Sequence, residues 1–185
     1  MKQMLLFLAI IFLFALDASC QSSTQQEVGM RFNNFRDFSL VYKKQLKENK
    51  YLRLRSVNTN FAFNTNTTNV QLGVAAGLEK RRAINPKLEV ISGPELALFV
   101  GYNNSNGGSS ASTTARLSYV IGLNYAVKPN VNIGIEMLPN MSLSSSFARG
   151  EYIDGSTNVN LSMGWSRAAL FAVYSFEGRL RKAKK

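Results

Sequence analysis

The feature that most constrains this chain is a period-two alternation of apolar and polar residues, held over unusually long stretches. Leu117, Tyr119, Ile121, Leu123, Tyr125 and Val127 share one face, and Arg116, Ser118, Gly122, Asn124 and Ala126 share the other with Val120. Val70, Leu72, Val74, Ala76 and Leu78 alternate in the same way with Gln71, Gly73, Ala75, Gly77 and Glu79. Val131, Ile133, Ile135, Met137, Pro139, Met141 and Leu143 stand opposite Asn132, Gly134, Glu136, Leu138, Asn140 and Ser142. Leu88, Val90, Leu96, Leu98, Val100 and Tyr102 share a parity with Ser92 and Pro94, opposite Glu89, Gly93, Glu95, Ala97 and Gly101. From Glu27 onward no long stretch repeats apolar residues at helical spacing, so these segments are strands. Their length exceeds the five or six residues usual for soluble strands.

Alternation alone leaves open whether the apolar face turns inward, as in a soluble barrel, or outward to lipid around a polar interior. Strand length favours lipid, because about 10 residues tilted near 45° cross a bilayer. Aromatic spacing points the same way: Tyr51 and Phe63 are placed to mark two girdles flanking an apolar band. So does the rhythm of the connections. Lys47 to Lys50, Ile84 to Lys87 and Lys128 to Asn130 are short turns rich in turn formers. Asn64 to Asn69, Asn103 to Thr114 and Ala148 to Thr157 are expected to be longer loops, and short and long alternate along the chain. The expectation is an all-β fold: an eight-stranded antiparallel up-and-down transmembrane β-barrel preceded by a signal peptide. Its strands run about Glu27 to Asn33, Asp37 to Leu46, Tyr51 to Phe63, Val70 to Arg82, Lys87 to Tyr102, Ala115 to Val127, Val131 to Phe147 and Asn158 to Phe176. A bulge is expected near Ser56, where Leu52 and Leu54 give way in parity to Val57, Thr59, Phe61 and Phe63. A second slip is expected near Ser166-Arg167, within one long last strand.

Lys2, the apolar run Met4 to Leu16 and the small residues Ala18 and Ser19 before Cys20 have the layout of a secretory leader. The run is too short to span a bilayer as a helix. Cleavage after Cys20 would remove the one cysteine, whereas retention would make Cys20 a lipidation site; Asp17 sits where a lipobox wants an aliphatic residue. The expected organisation is therefore a signal peptide over 1–20, a periplasmic segment over 21–26, the barrel over 27–176 and a basic periplasmic tail over 177–185. The 185 residues suit one domain. With no histidine, Ser-His-Asp and Cys-His catalysis and His-ligated zinc are excluded.

The opening VGMRF, the segment FSLVYKK, the repeated strand, Lys/Asn turn and strand, and the terminal AALFAVYSF resemble small outer-membrane β-barrel proteins of the Bacteroidota, similar in architecture to OmpA and OmpX barrels. The resemblance covers essentially the mature chain and is one of pattern. It implies the cell outer membrane as location. Tyr174 and Phe176, ending the last strand, resemble the signal read by the barrel-assembly machinery, although Glu177 to Lys185 follow it here.

The inward parity collects Arg31, Arg53, Arg55, Glu79, Arg81, Glu89, Glu95, Arg116 and Glu136. Opposite charges in a lumen just wide enough for side chains would pair and fill it. A gated pore or small-ligand pocket is the sharper alternative. Glu89 and Glu95 as an acid–base pair fit poorly, since abundant arginine keeps both ionised. The interfacial aromatics are expected to be Tyr42, Tyr51, Phe61, Phe63, Tyr102, Tyr125, Trp165, Tyr174 and Phe176.

The net charge of +11 concentrates at the short-turn rim and beyond, in Lys43, Lys44, Lys47, Lys50, Lys80, Arg81, Arg82, Lys87, Lys128, Arg179, Arg181, Lys182, Lys184 and Lys185. This collar is a solvated rim, or else meets outer-membrane lipid phosphates or acidic periplasmic polymers. An exported chain meets little nucleic acid, so none is expected as a partner. The segment Asn103 to Thr114 reads as a flexible connector, with an extracellular ligand or protein at the loops as the sharper reading. Small-barrel enzymes acting on lipids are similar in architecture but use histidine, and Ser142 to Ser146 offer hydroxyls with no base. The functional expectation is a monomeric structural or interaction barrel with no catalytic residues, cofactor or metal. The alternatives are a narrow channel or small-solute carrier, and a soluble periplasmic lipocalin-like binder that would turn Leu117, Tyr119 and Ile121 inward and Arg116 out.

Overall fold

The computed structural model describes residues 24–33, 38–105, 108–150, 153–165 and 168–178. The expected leader with Cys20, residues 34–37, the expected slip at Ser166-Arg167 and the expected tail from Arg179 lie outside them, as do the side chains of Phe61, Phe63 and Trp165. Ten strand segments follow one another: β1 (Thr24–Phe32), β2 (Phe38–Lys47), β3 (Lys50–Asn64), β4 (Thr67–Asn85), β5 (Leu88–Ser105), β6 (Gly108–Lys128), β7 (Val131–Met137), β8 (Pro139–Gly150), β9 (Ile153–Trp165) and β10 (Ala169–Gly178).

These ten segments build eight wall strands. Against β6, the pairs Ile121↔Met137 and Ser118↔Asn140 keep one register, so β7 and β8 are a single strand interrupted at Leu138. Pro139 lacks the N–H that a continuous ladder would use there. Between Pro139↔Trp165 and Glu136↔Ala169 one chain moves three residues (139 − 136) and the other four (169 − 165). The register shifts by one residue between the two, and β9 and β10 continue each other along the same neighbouring strand. The ring β1-β2-β3-β4-β5-β6-β7-β10 then closes on itself, antiparallel throughout.

The pairing Thr24↔Gly178 brings both ends of the barrel to the rim that carries the three tight turns between β2 and β3, β4 and β5, and β6 and β7. The ladder therefore reaches slightly past the expected limits of 27 and 176. At this near rim Asn49 takes φ 60°, a left-handed conformation that asparagine tolerates. The Asn85 carboxamide oxygen accepts from the Lys87 and Leu88 amides at 2.9 and 2.8 Å, an Asx turn that reverses the chain.

The wall is apolar outside and polar inside. Leu117, Tyr119 and Ile121 are about half exposed on the outer face, while Ser118, Val120 and Asn124 are buried toward the axis. This is the reverse of what the soluble lipocalin-like alternative requires. From Leu117 to Val127 the outer face rises roughly 23 Å along the axis at about 3.3 Å per residue and ~45° of tilt, matching the ~25 Å apolar band of a lipid-embedded barrel. No helix among the described residues is long and apolar enough to cross a membrane; the strands are the elements that match it.

Two local expectations are corrected. In β3, Tyr51, Arg53, Arg55 and Val57 all face inward, and the register slips by one only between Val57 and Asn60. The bulge expected near Ser56 therefore follows Val57, and Val57 faces inward instead of sharing the outward parity expected of the residues after it. The second correction concerns the far rim. The β3–β4 connection is a tight Thr65-Asn66 turn, and the ladder between β5 and β6 continues unbroken to Ser105↔Gly108. Between β8 and β9 it reaches Gly150↔Ile153. Stretches rich in Asn, Ser and Thr that read as loops are hairpin strands projecting beyond the apolar band, held by backbone pairing, with the Ser105 hydroxyl donating to the Gly108 carbonyl at 3.3 Å.

Candidate functional site

Among the described residues, the lumen is where charged side chains gather away from water. Strand parity aims Glu27 and Arg31 of β1, Lys43 of β2, Arg53 and Arg55 of β3, Glu79 and Arg81 of β4, Glu95 of β5 and Glu136 of β7 at the axis, and all are buried. They connect in sequence from one end to the other. Near the termini, Arg81 donates through Nη1 and Nη2 to both Glu27 carboxylate oxygens at 2.8 and 2.7 Å, and its Nε donates to Glu79 at 2.9 Å. Glu79 also receives Lys43 Nζ, at 2.8 Å from Oε2. At mid-height the Arg53 fork lies on Glu136, both contacts at 2.6 Å, and Arg53 Nε is 3.1 Å from Glu95. Arg31 donates to the same Glu136 carboxylate. Above, Arg55 Nη2 meets Glu95 at 2.5 Å.

Glu89 is a peripheral member. It is one-third exposed, 3.7 Å from Arg81, and accepts from the Asn124 amide at 2.9 Å. Arg116 also faces the lumen, stacked with its guanidinium carbon 4.6 Å from the Phe99 ring centre. The nine positions marked by alternation are thus all on the inner face; eight of them form ion pairs among the described residues, and Arg116 forms none.

Apolar side chains fill what the ions leave. Ile91, Val120, Leu138, Phe171 and Val173 form one inner cluster, and Val57, Ala75 and Ala97 form another with Phe99 against it. Lys43 Nζ lies 4.7 Å from the Phe171 ring centre, so the first cluster borders the ionic network directly. Gly134 makes room for that ring: a Cβ there would come within 2.3 Å of it.

Three assignments change. Lys43 and Arg81 belong to the buried network and not to the basic collar; the exposed near-rim cations are Lys47, Lys50, Lys80, Arg82, Lys87 and Lys128. Tyr51 is 5% exposed and is not an interfacial aromatic. Its ring lies 3.9 Å from the Arg81 guanidinium carbon, and its hydroxyl donates to Gln25 at 3.0 Å. Tyr42, Tyr125, Tyr174 and Phe176 do stand on the outer face toward the near rim, and Tyr102 toward the far rim. Phe147, paired with Ala111 next to Tyr102, joins the far girdle, although its polar sequence surroundings give no sign of it. Glu27 is a further member of the network that alternation does not mark, because it stands at the very start of the alternating chain.

No protein-family model and no curated protein matches this sequence. Solved structures do. A major outer membrane protein from Thermus thermophilus is similar with a TM-score of 0.50 at 10% identity, over 84% of this chain and 100% of that one. Neisserial surface protein A gives 0.48 at 16% identity over 83% and 96%, and Ail, the attachment invasion locus protein of Yersinia pestis, gives 0.47 at 14% over 83% and 97%. With the closed ring and its apolar exterior, the first of these similarities shows that this chain has the fold of the small outer-membrane β-barrels.

Proposed function

We propose that the chain resides in the outer membrane as a monomeric, non-catalytic barrel, with its near rim toward the periplasm and its projecting far-rim hairpins as a contact surface for an extracellular ligand or protein. The observation that carries this reading is the continuous buried network from Glu27 to Glu95, which occupies the lumen with mutually paired charges. A solute path would need mobile or solvated groups at the axis, and these are locked to one another. The collar from Lys47 to Lys128 then meets lipid phosphates of the inner leaflet, each cation near the surface contributing on the order of 1 kcal/mol. Tyr174 and Phe176, outward on the last strand, serve as the segment presented to the barrel-assembly machinery.

The test has two readings from one refolded preparation. Unboiled and boiled samples should migrate differently on an SDS gel, and the folded species should show no resolved conductance steps in planar bilayers. Steps from the folded band would replace the plug reading with a narrow channel. Identical migration with no detergent requirement would overturn the membrane barrel itself.

A further inference from the structure

Arg116 is the one lumen cation with no carboxylate partner among the described residues, and its place in the fold gives that fact a use. The network below it is balanced: Arg31, Lys43, Arg53, Arg55 and Arg81 are matched by Glu27, Glu79, Glu89, Glu95 and Glu136. Arg116 is surplus and stands at the far-rim end of that network, two residues beyond the level at which Glu95 pairs with Ser118, in the row that runs Arg55↔Ala75, Ala75↔Ala97 and Ala97↔Arg116. Its Nε is sealed from solvent and has no hydrogen-bond acceptor. Stacking on Phe99 fixes the plane of the guanidinium while supplying no acceptor.

Beside it opens a polar cavity of about 120 Å³, lined by Gln71, Phe99, Gly101, Ser112 and Thr114 with Arg116 itself. That volume equals roughly four water molecules, enough for a carboxylate and its neighbouring atoms. The space depends on Gly101, where a Cβ would stand 2.6 Å from the Ser112 hydroxyl oxygen. A fixed guanidinium fork recognises a planar oxyanion better than a point charge does. The uncharged hydroxyl and amide wall suits a ligand that carries hydroxyls of its own.

We propose that this cup binds the carboxylate of a small hydroxylated acid, of the sugar-acid class, entering from the far rim, with Arg116 as the anchor. The inference requires the folded barrel and the paired network below, and is independent of the barrel's cellular role.

The experiment uses the full mature chain refolded in detergent micelles, with Arg side-chain nitrogens labelled and galacturonate, acetate and glucose as probes. Saturable movement of the Arg116 Nε–H resonance with galacturonate, weaker with acetate and none with glucose, is the expected result. Arg116→Gln should weaken galacturonate binding at least tenfold. Gly101→Val, which fills the cavity and leaves the charge in place, should do the same. Both variants must retain the unboiled gel mobility, which separates loss of the cup from loss of the barrel; if Arg116→Gln does not fold, Gly101→Val decides. Undiminished binding in a folded variant, movement confined to collar resonances, or no saturable movement at tens of millimolar probe would each overturn the proposal.

Discussion

At the scale of the residue, the structure turns on a few shared carboxylates. Glu136 accepts from both Arg53 and Arg31, so one substitution leaves two buried guanidiniums under-paired. Glu136→Gln is expected to cost about 3–5 kcal/mol, the range for breaking a buried ion pair from one side. A lowered urea midpoint for unfolding from lipid vesicles would register it. Replacing both partners, as Arg53→Met with Glu136→Met, should cost less than the two single changes summed, which a double-mutant cycle reads directly. Tyr51 gives a second case. Tyr51→Phe keeps the stack on Arg81 and loses the hydroxyl contact to Gln25, an expected loss of about 1 kcal/mol, whereas Tyr51→Leu also forfeits the cation–π contact and should cost more. These residues also show which parts of the lumen are legible in sequence. Arg116, Glu136 and Glu95 stand inside long alternating runs and declare their face. Lys43 does not, because the Lys43-Lys44 doublet reads as a charge run and its inward neighbour Val41 is apolar. Tyr51 shares the parity of Arg53, and that parity outweighs the habit of placing tyrosine at an interface.

At the scale of the element, polar composition and backbone pairing part company. Asn103 to Thr114 has the residues of a loop, yet it forms the paired ends of β5 and β6 around the two residues 106 and 107. Composition reports solvation of the side chains; the ladder satisfies the backbone regardless. Hydrogen exchange should therefore find paired amides between Asn103 and Ser112 protected well beyond an open loop; exchange at the free-peptide rate there would contradict the extended hairpin. At 21 residues, β6 rises roughly 47 Å along the axis by the same tilt arithmetic, nearly twice the apolar band, so the projection is large. The interior places its own demand on a strand. Gly134→Val would drive a side chain into the Phe171 ring, and an overpacking cost of about 1–3 kcal/mol is expected in the same urea assay. The near-rim turn should respond in the opposite sense to backbone freedom: Asn49→Gly is expected to be neutral or slightly stabilising, and Asn49→Ala to lose about 1 kcal/mol through its left-handed φ.

At the scale of the whole molecule, the inside-out arrangement decides what the barrel is. Strand count and closure are legible because alternation survives each register shift with a change of parity, as from Met163 on the outer face to Leu170 on the same face. The height of the far rim is not legible, because beyond the apolar band both strand faces meet water and period two fades from the composition. The most direct test of the account is a series of single cysteines from Arg116→Cys through Asn124→Cys, with Cys20 absent, each carrying a polarity-sensitive dye in vesicles whose lipid tails bear bromine. The predicted result is strong quenching at 117, 119, 121 and 123 and little at 116, 118, 120, 122 and 124. Quenching of the opposite set, or none that alternates, would contradict a barrel that shows its apolar face to lipid and encloses its charges.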